Sequence, residues 1–243
     1  MSKEKNLSNT PQPTISTGVK ELDSQLGDLR KGEVFAIEAA PFIFRSIFTT
    51  SILLHCANIG LNCVYLPIFA NQKPEKKYFK YLLNENKEFN KRRVKRNTKI
   101  CPDSILSLWQ LSKVYFNRHR KPDVVIIDEC DFLAGPHGQV FWDLKNIAVD
   151  YDICFIVSSE TIDRGDGSWV DFSYQGLEDT VSRIIKIDYE LLKNGEPPIF
   201  HINIIKNEFG KTGYCCSYKL SEEILDLDNP TPQKKKNKKK VTT

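Results

Sequence analysis

Short, nearly unbroken apolar runs alternate with segments of helical period along most of the chain. Val34–Ile37, Cys63–Phe69, Val124–Ile127 and Ile153–Val157 read as strands buried on both faces. Between them, Ile47 to about Ala57, Lys73–Leu83 and Gln139–Ala148 carry the spacing of helices. Asp103 or Ser104 caps a further predicted helix with Ile105, Leu108, Leu111, Val114 and Tyr115 on one broad face, which Pro122 stops. Asn84–Lys99 is polar and basic, and Thr161–Gln175 is predicted as a loop. Three β-rich runs follow over short connections: Arg183–Ile187, Ile199–Ile205 and Gly213–Tyr218. The alternation predicts an α/β fold, a mainly parallel central sheet with helices on both faces and an antiparallel extension at one edge.

Composition adds bounds. A chain of 243 residues with 40% hydrophobic and 27% charged residues fits one large domain with a single core. The expected division is a disordered leader over 1–13, one domain over 14–229 and a lysine-rich disordered tail over 230–243. No apolar run reaches the length of a membrane span, and Met1–Pro13 lacks the pattern of a secretory signal, so a cytoplasmic protein is expected. The seven cysteines are odd in number and form no Cys-x-x-Cys pair, so they read as small core residues rather than zinc ligands or disulfide partners. Cys215 and Cys216, adjacent in a strand-like run, are expected to face opposite ways. The net charge of +4 belongs to the tail: with the six lysines Lys234, Lys235, Lys236, Lys238, Lys239 and Lys240 set aside, 29 basic residues face 31 acidic ones.

The most informative chemistry lies in residues 33–58, a strand, turn and helix of nucleotide-binding type. A phosphate-binding turn needs glycines for close backbone approach and a Lys for the β- and γ-phosphates. Here Phe44 stands at the last glycine position and Arg45 at the Lys position, followed by Ser46. Asp128-Glu129, at the end of an apolar strand, reads either as a metal carboxylate with an adjacent base or as a strand-end acid beside a solvent-facing one. Arg45 either binds a phosphate in a changed mode or, the preferred reading, pairs with Asp128 across the site. Lys91, Arg92, Arg93, Lys95 and Arg96 form a dense basic run, either a solvated loop or a nucleic-acid contact. The tail lysines are a second polyanion-binding candidate. Trp169, Phe172 and Tyr174 sit near Asp163, Asp166 and Asp171, which favours packing over base stacking. The four histidines form no ligand pair.

Several stretches in order resemble the RecA-like motor domain of DnaB-type replicative helicases and their RadA and KaiC relatives. They are the lead-in Ile15–Asp23 with Leu26–Glu33, the turn opening at Ala39-Ala40-Pro41, the Walker B-like strand Asp123–Asp128, the strand Ile153–Ser159 and the hairpin Ile204–Gly213. The resemblance implies a RecA-like P-loop NTPase fold and a nucleotide site, here degenerate, formed by Ala40, Phe44, Arg45, Ser46, Asp128, Ser159 and Lys206. Ser46 and Asp128 would hold Mg²⁺ if ATP bound; no metal or cofactor is otherwise expected. The family's water-activating Glu falls where this chain has Pro67-Ile68-Phe69-Ala70, and Glu208 falls at the inter-subunit arginine finger. The reading this supports is an ATPase-inactive accessory factor that binds nucleic acid (single-stranded DNA or RNA) or a helicase, in replication or mobile-element biology, with DNA binding that weakens when the tail is removed. Two alternatives stand: a divergent active ATPase or helicase using Asp128 and Glu129, and a regulatory subunit that docks on a helicase hexamer without binding DNA. Homo-oligomerisation is a further partner expectation.

Overall fold

The computed structural model describes residues 13–39, 43–67, 73–101, 121–130, 137–160, 162–163, 169–170, 180–190, 196 and 198–219. The leader, the tail lysines, Ala40 and the predicted helix after Asp103 lie outside the described residues, as do Phe172, Tyr174 and the side chains of Phe44 and Trp169.

Eight strands form one sheet: β1 (Val34–Ala39), β2 (Cys63–Pro67), β3 (Thr98–Ile100), β4 (Val124–Asp128), β5 (Cys154–Glu160), β8 (Arg183–Glu190), β9 (Ile199–Asn207) and β10 (Gly213–Lys219). Their spatial order is β10-β9-β8-β1-β5-β4-β2-β3. From β3 to β8 every neighbouring pair is parallel. β9 and β10 run antiparallel and complete the predicted edge extension. The expected loop after β5 contains a small antiparallel ribbon, β6 (Ile162–Asp163) with β7 (Trp169–Val170), too short for an alternating pattern to register in the sequence.

The helices are α1 (Lys20–Leu26), α2 (Ile43–Ile59), α3 (Lys73–Glu85), α4 (Lys91–Asn97) and α5 (His137–Tyr151). The first four cover one face of the sheet, where Leu22, Leu26, Leu53, Tyr78, Leu83 and Val94 join Phe35, Ile37 and Ile156 in one core. On the other face α5 packs Val140, Phe141, Leu144 and Ala148 against Ala36, Val125 and Val157. β1, β2 and β4 are buried at every position, as strands covered on both sides must be.

α2 is apolar nearly all round because it is covered nearly all round, by the sheet on one side and by α3 and α4 on the other. It begins at Ile43, four residues before the expected start. Arg45 and Ser46 occupy its first turn, and their polarity hides the helical period there. The basic stretch read as a solvated loop is instead α4, running directly into the edge strand β3. Its inward face is only Val94 and Asn97, too few positions for a period to emerge. Asn90 caps it, its side chain accepting from the Arg93 N–H at 3.0 Å.

At the opposite edge a β-bulge between Tyr214 and Cys216 breaks the alternation. Cys216 is buried and Cys215 packs partly against the same core, so the two do not face cleanly opposite ways. Burial and the neighbouring Cys216 thiol push the Cys215 thiol up to about 12, which keeps it protonated and unreactive.

A candidate nucleotide cleft closed by an ion pair

The C-terminal ends of β2, β4 and β5 and the N-terminal turn of α2 meet on the α2 face of the sheet. Strand alternation puts Tyr65, Asp128 and Ser158 on that face, and helix α2 lays Arg45 and Thr49 over them. Asp128, 3% exposed, accepts from the Tyr65 hydroxyl at 2.7 Å through Oδ2 and from the Ser158 hydroxyl through Oδ1. Thr49 Oγ1 lies 3.5 Å from the Tyr65 hydroxyl.

Arg45 is 5% exposed and reaches both carboxylates. Its Nε lies 3.6 Å from Asp128 Oδ1, and its Nη2 donates to Glu129 Oε1 at 2.6 Å. The expected Arg45–Asp128 pair is therefore present, and Glu129 is its closer partner. Glu129 holds a left-handed backbone (φ 63°), a conformation non-glycine residues rarely adopt. Its N–H donates to Ser158 Oγ at 3.1 Å, which fixes the turn that aims the carboxylate at Arg45. Arg45 Nε and Nη1 find no hydrogen-bond acceptor among the described residues, so the guanidinium is held by charge more than by a complete set of bonds.

The remaining site candidates divide. Ser46 sits half-buried beside Arg45, its carbonyl accepting from Thr49 Oγ1 at 3.2 Å. Ser159 pairs with Glu38 in the β1–β5 register and points to the α5 face, so the polar residue beside Asp128 is Ser158, one position earlier. The one-residue difference reverses the face. Lys206 lies on β9, separated from β4 by β8, β1 and β5. Four strand spacings amount to roughly 19 Å. It joins no cluster with Arg45 and Asp128, and pairs instead with Glu208 at 3.0 Å.

The hairpin beyond Lys206 is fastened to its own chain. Asn207 Nδ2 donates to the Gln25 carbonyl at 3.1 Å, and Glu208 N–H to the Ser182 carbonyl at 3.1 Å. The Phe209 ring lies under two guanidinium groups, Arg30 at 4.3 Å and Arg183 at 4.7 Å from its centroid. Arg183 is fully buried, bonded to Glu33 and to the Asp28 carbonyl. Burial raises the Glu33 carboxyl above its ordinary value, with the Arg183 charge opposing.

Tyr65, Ser158 and Thr49 are the cleft residues that sequence reading did not single out. Tyr65 carried a usable signal, since a tyrosine in an otherwise aliphatic buried strand needs a partner for its hydroxyl. All five α4 cations, Lys91, Arg92, Arg93, Lys95 and Arg96, are exposed.

No family profile matches the sequence, and no curated protein does. Solved structures match the fold. One is described as a DnaB-like replicative helicase with its interactions with primase: TM-score 0.66, 16% identity, 86% of this chain and 61% of that one. Another is described as an isolated ATPase domain: TM-score 0.65, 16% identity, 86% of this chain and 89% of that one. The chain thus spans under two thirds of the helicase and most of the isolated ATPase domain. The fold is the RecA-like one of these helicase ATPase domains. Among the described residues no helix is long and apolar enough to cross a membrane.

Proposed function

We propose that this RecA-fold chain has given up ATP hydrolysis and acts as a cytoplasmic accessory factor that binds nucleic acid or a replicative helicase, in DNA replication or mobile-element biology. The observation that carries the reading is the Arg45 clamp on Asp128 and Glu129. Mg²⁺ on Asp128 and Ser46 would sit against a guanidinium already 3.6 Å from the same carboxylate oxygen. Glu129, the surviving candidate base, is bound to the same cation and is not free to take a proton from water. The residues present do not fit a metal–triphosphate, and no group of three metal-ligating side chains occurs among the described residues.

The substitutions act in the same direction. Arg in place of the phosphate Lys replaces a compact ammonium with a bulky fork, and Phe44 stands where close backbone approach needs glycine. Removing one electrostatic stabiliser of a transition state typically lowers the rate about 10²–10³-fold. This chain also lacks a carboxylate at Pro67 and carries Glu208 rather than Arg on the hairpin. Likeness to a helicase described with primase supports replication as the setting.

Calorimetry with Mg²⁺-ATP, with and without single-stranded DNA, tests the reading. We expect no heat at about millimolar nucleotide, where even a weak site with a Kd of ~1 mM would register. Saturable binding, with turnover abolished by Asp128→Asn, would establish the active-ATPase alternative instead.

A further inference from the structure

α4 is an unfavourable helix on its own terms. Its first turn holds Lys91, Arg92 and Arg93 and no acid, so three cations crowd the positive end of the helix dipole. Among the described residues none of the five α4 cations pairs with a carboxylate. Lys91 reaches the Asn84 side chain and Arg93 the Asn58 carbonyl. Mutual repulsion of five neighbouring cations is therefore uncompensated within the described fold.

The helix is nonetheless rigidly mounted. Val94 is fully buried, the Asn97 side chain donates to the Ala57 carbonyl at 3.0 Å, and the Asn90 N–H donates to Asn58 Oδ1 at 2.8 Å. With that face inward, Arg92, Lys95 and Arg96 lie outward at spacings of three and four residues, along one stripe. Arg92 and Arg96 are separated by about 6 Å of helix rise, comparable to the step between phosphates along a nucleic-acid strand.

We infer that the Arg92–Lys95–Arg96 stripe of α4 is a sequence-independent binding surface for the phosphate backbone of a nucleic-acid strand. The inference deepens the nucleic-acid arm of the reading above and rests on it. The chemistry selects this partner over a membrane. The only apolar residue of α4, Val94, faces inward, so the helix offers nothing to insert among acyl chains. No exposed aromatic side chain lies on α4 to read or stack a base, so contacts are to the backbone and carry no sequence information.

Position sharpens the inference. α4 is pinned to Ala57 and Asn58, at the C-terminal end of α2, whereas Arg45 stands at its N-terminal end. Thirteen residues of helix separate Arg45 from Asn58, about 20 Å. A strand on the stripe lies clear of the cleft, and its binding is independent of nucleotide.

The test is fluorescence anisotropy of a labelled, mixed-sequence single strand of about 30 nucleotides. Affinity is followed from about 50 to 300 mM salt for the full chain, with and without about 1 mM Mg²⁺-ATP. One variant carries Arg92→Gln, Lys95→Gln and Arg96→Gln, a second carries the six tail lysines as Ser, and a third combines them. We expect the tail variant to bind more weakly but measurably. The stripe substitutions should lower affinity about tenfold or more in either background and reduce the salt slope by about 2, as loss of three phosphate contacts predicts. Circular dichroism should be unchanged, since the three side chains are exposed. An unaltered affinity on substituting the stripe in the tail-neutral background overturns the inference, as does a tail-neutral chain that binds no strand. Anionic vesicles that bind through the stripe more tightly than the strand also overturn it. Heat from Mg²⁺-ATP with strand binding still stripe-dependent would refute the inactive cleft and leave this surface standing.

Discussion

Arg45 is a cation in a cleft that in a nucleotide-binding protein receives anions, and two carboxylates have taken the anion's place. Because it is 5% exposed, its removal leaves Asp128 and Glu129 close together with no charge between them. Arg45→Met keeps the aliphatic stem and deletes the charge. We expect it to lower unfolding free energy by roughly 3 kcal/mol, the range seen when one partner of a buried pair is lost, read as a shift in the urea midpoint. A change below about 0.5 kcal/mol would show that the pair contributes nothing net. The pair itself was legible in the sequence, since Arg45 and Asp128 each follow a buried strand and stand at recognisable positions. Glu129 was not legible as its closer partner. Its reach depends on a left-handed backbone at φ 63°, and nothing in the residue type announces that. Ser158 was missed by one position because only the strand register decides which of two adjacent serines faces Asp128.

Among the elements, the long apolar strands and α2 could be read from the chain because burial on both sides leaves a dense apolar signal. α4 could not. It is seven residues long with two inward positions, and its outward charges look like a loop. The hairpin after β9 is fixed by contacts that also escape a sequence reading. A Cβ placed on Gly210 would come within 2.6 Å of the Gln25 carbonyl oxygen and 2.5 Å of Asn207 Nδ2. The Asn207 end can rotate, but the carbonyl belongs to backbone at the end of α1. Gly210→Ala should therefore push the turn off α1, destabilising by about 1–3 kcal/mol as other overpacked sites do. It should also raise amide exchange at Phe209 and Asn207. Unchanged exchange at those amides would mean the turn absorbs the methyl group without leaving α1.

For the whole molecule, acid response is set by groups buried where different parts of the chain meet. His55 on α2 lies 2.9 Å from the Ser16 hydroxyl, beside Gly18, and so ties the entering segment to the core. Burial lowers its pKa below the ordinary 6.5, with Asp23 opposing. A lowered histidine contributes stability that is present above the unfolded value and lost as pH falls through the folded value. Glu33, raised by burial, works in the opposite sense: its contribution is present below its ordinary 4.5 and lost as pH rises through the raised value. The denaturation midpoint should fall as pH drops below about 6.5, and His55→Gln should flatten that slope. An equal slope in the variant would remove His55 from the account. The mainly parallel sheet and the helices on both faces followed from the alternation of elements in the sequence. The two edges did not, because a three-residue β3 and a bulged β10 carry no regular pattern.

The bulge at Cys215 bears on how the protein behaves in a crowded solution. β10 ends the sheet and presents seven residues of backbone toward solvent, a row of amides and carbonyls suited to recruiting another chain. The break in register between Tyr214 and Cys216 bends that row, so an incoming strand can match one part of the edge and not the other. The same extra residue that spoils the alternation of the two cysteines thereby keeps the sheet from serving as the first rung of a fibril.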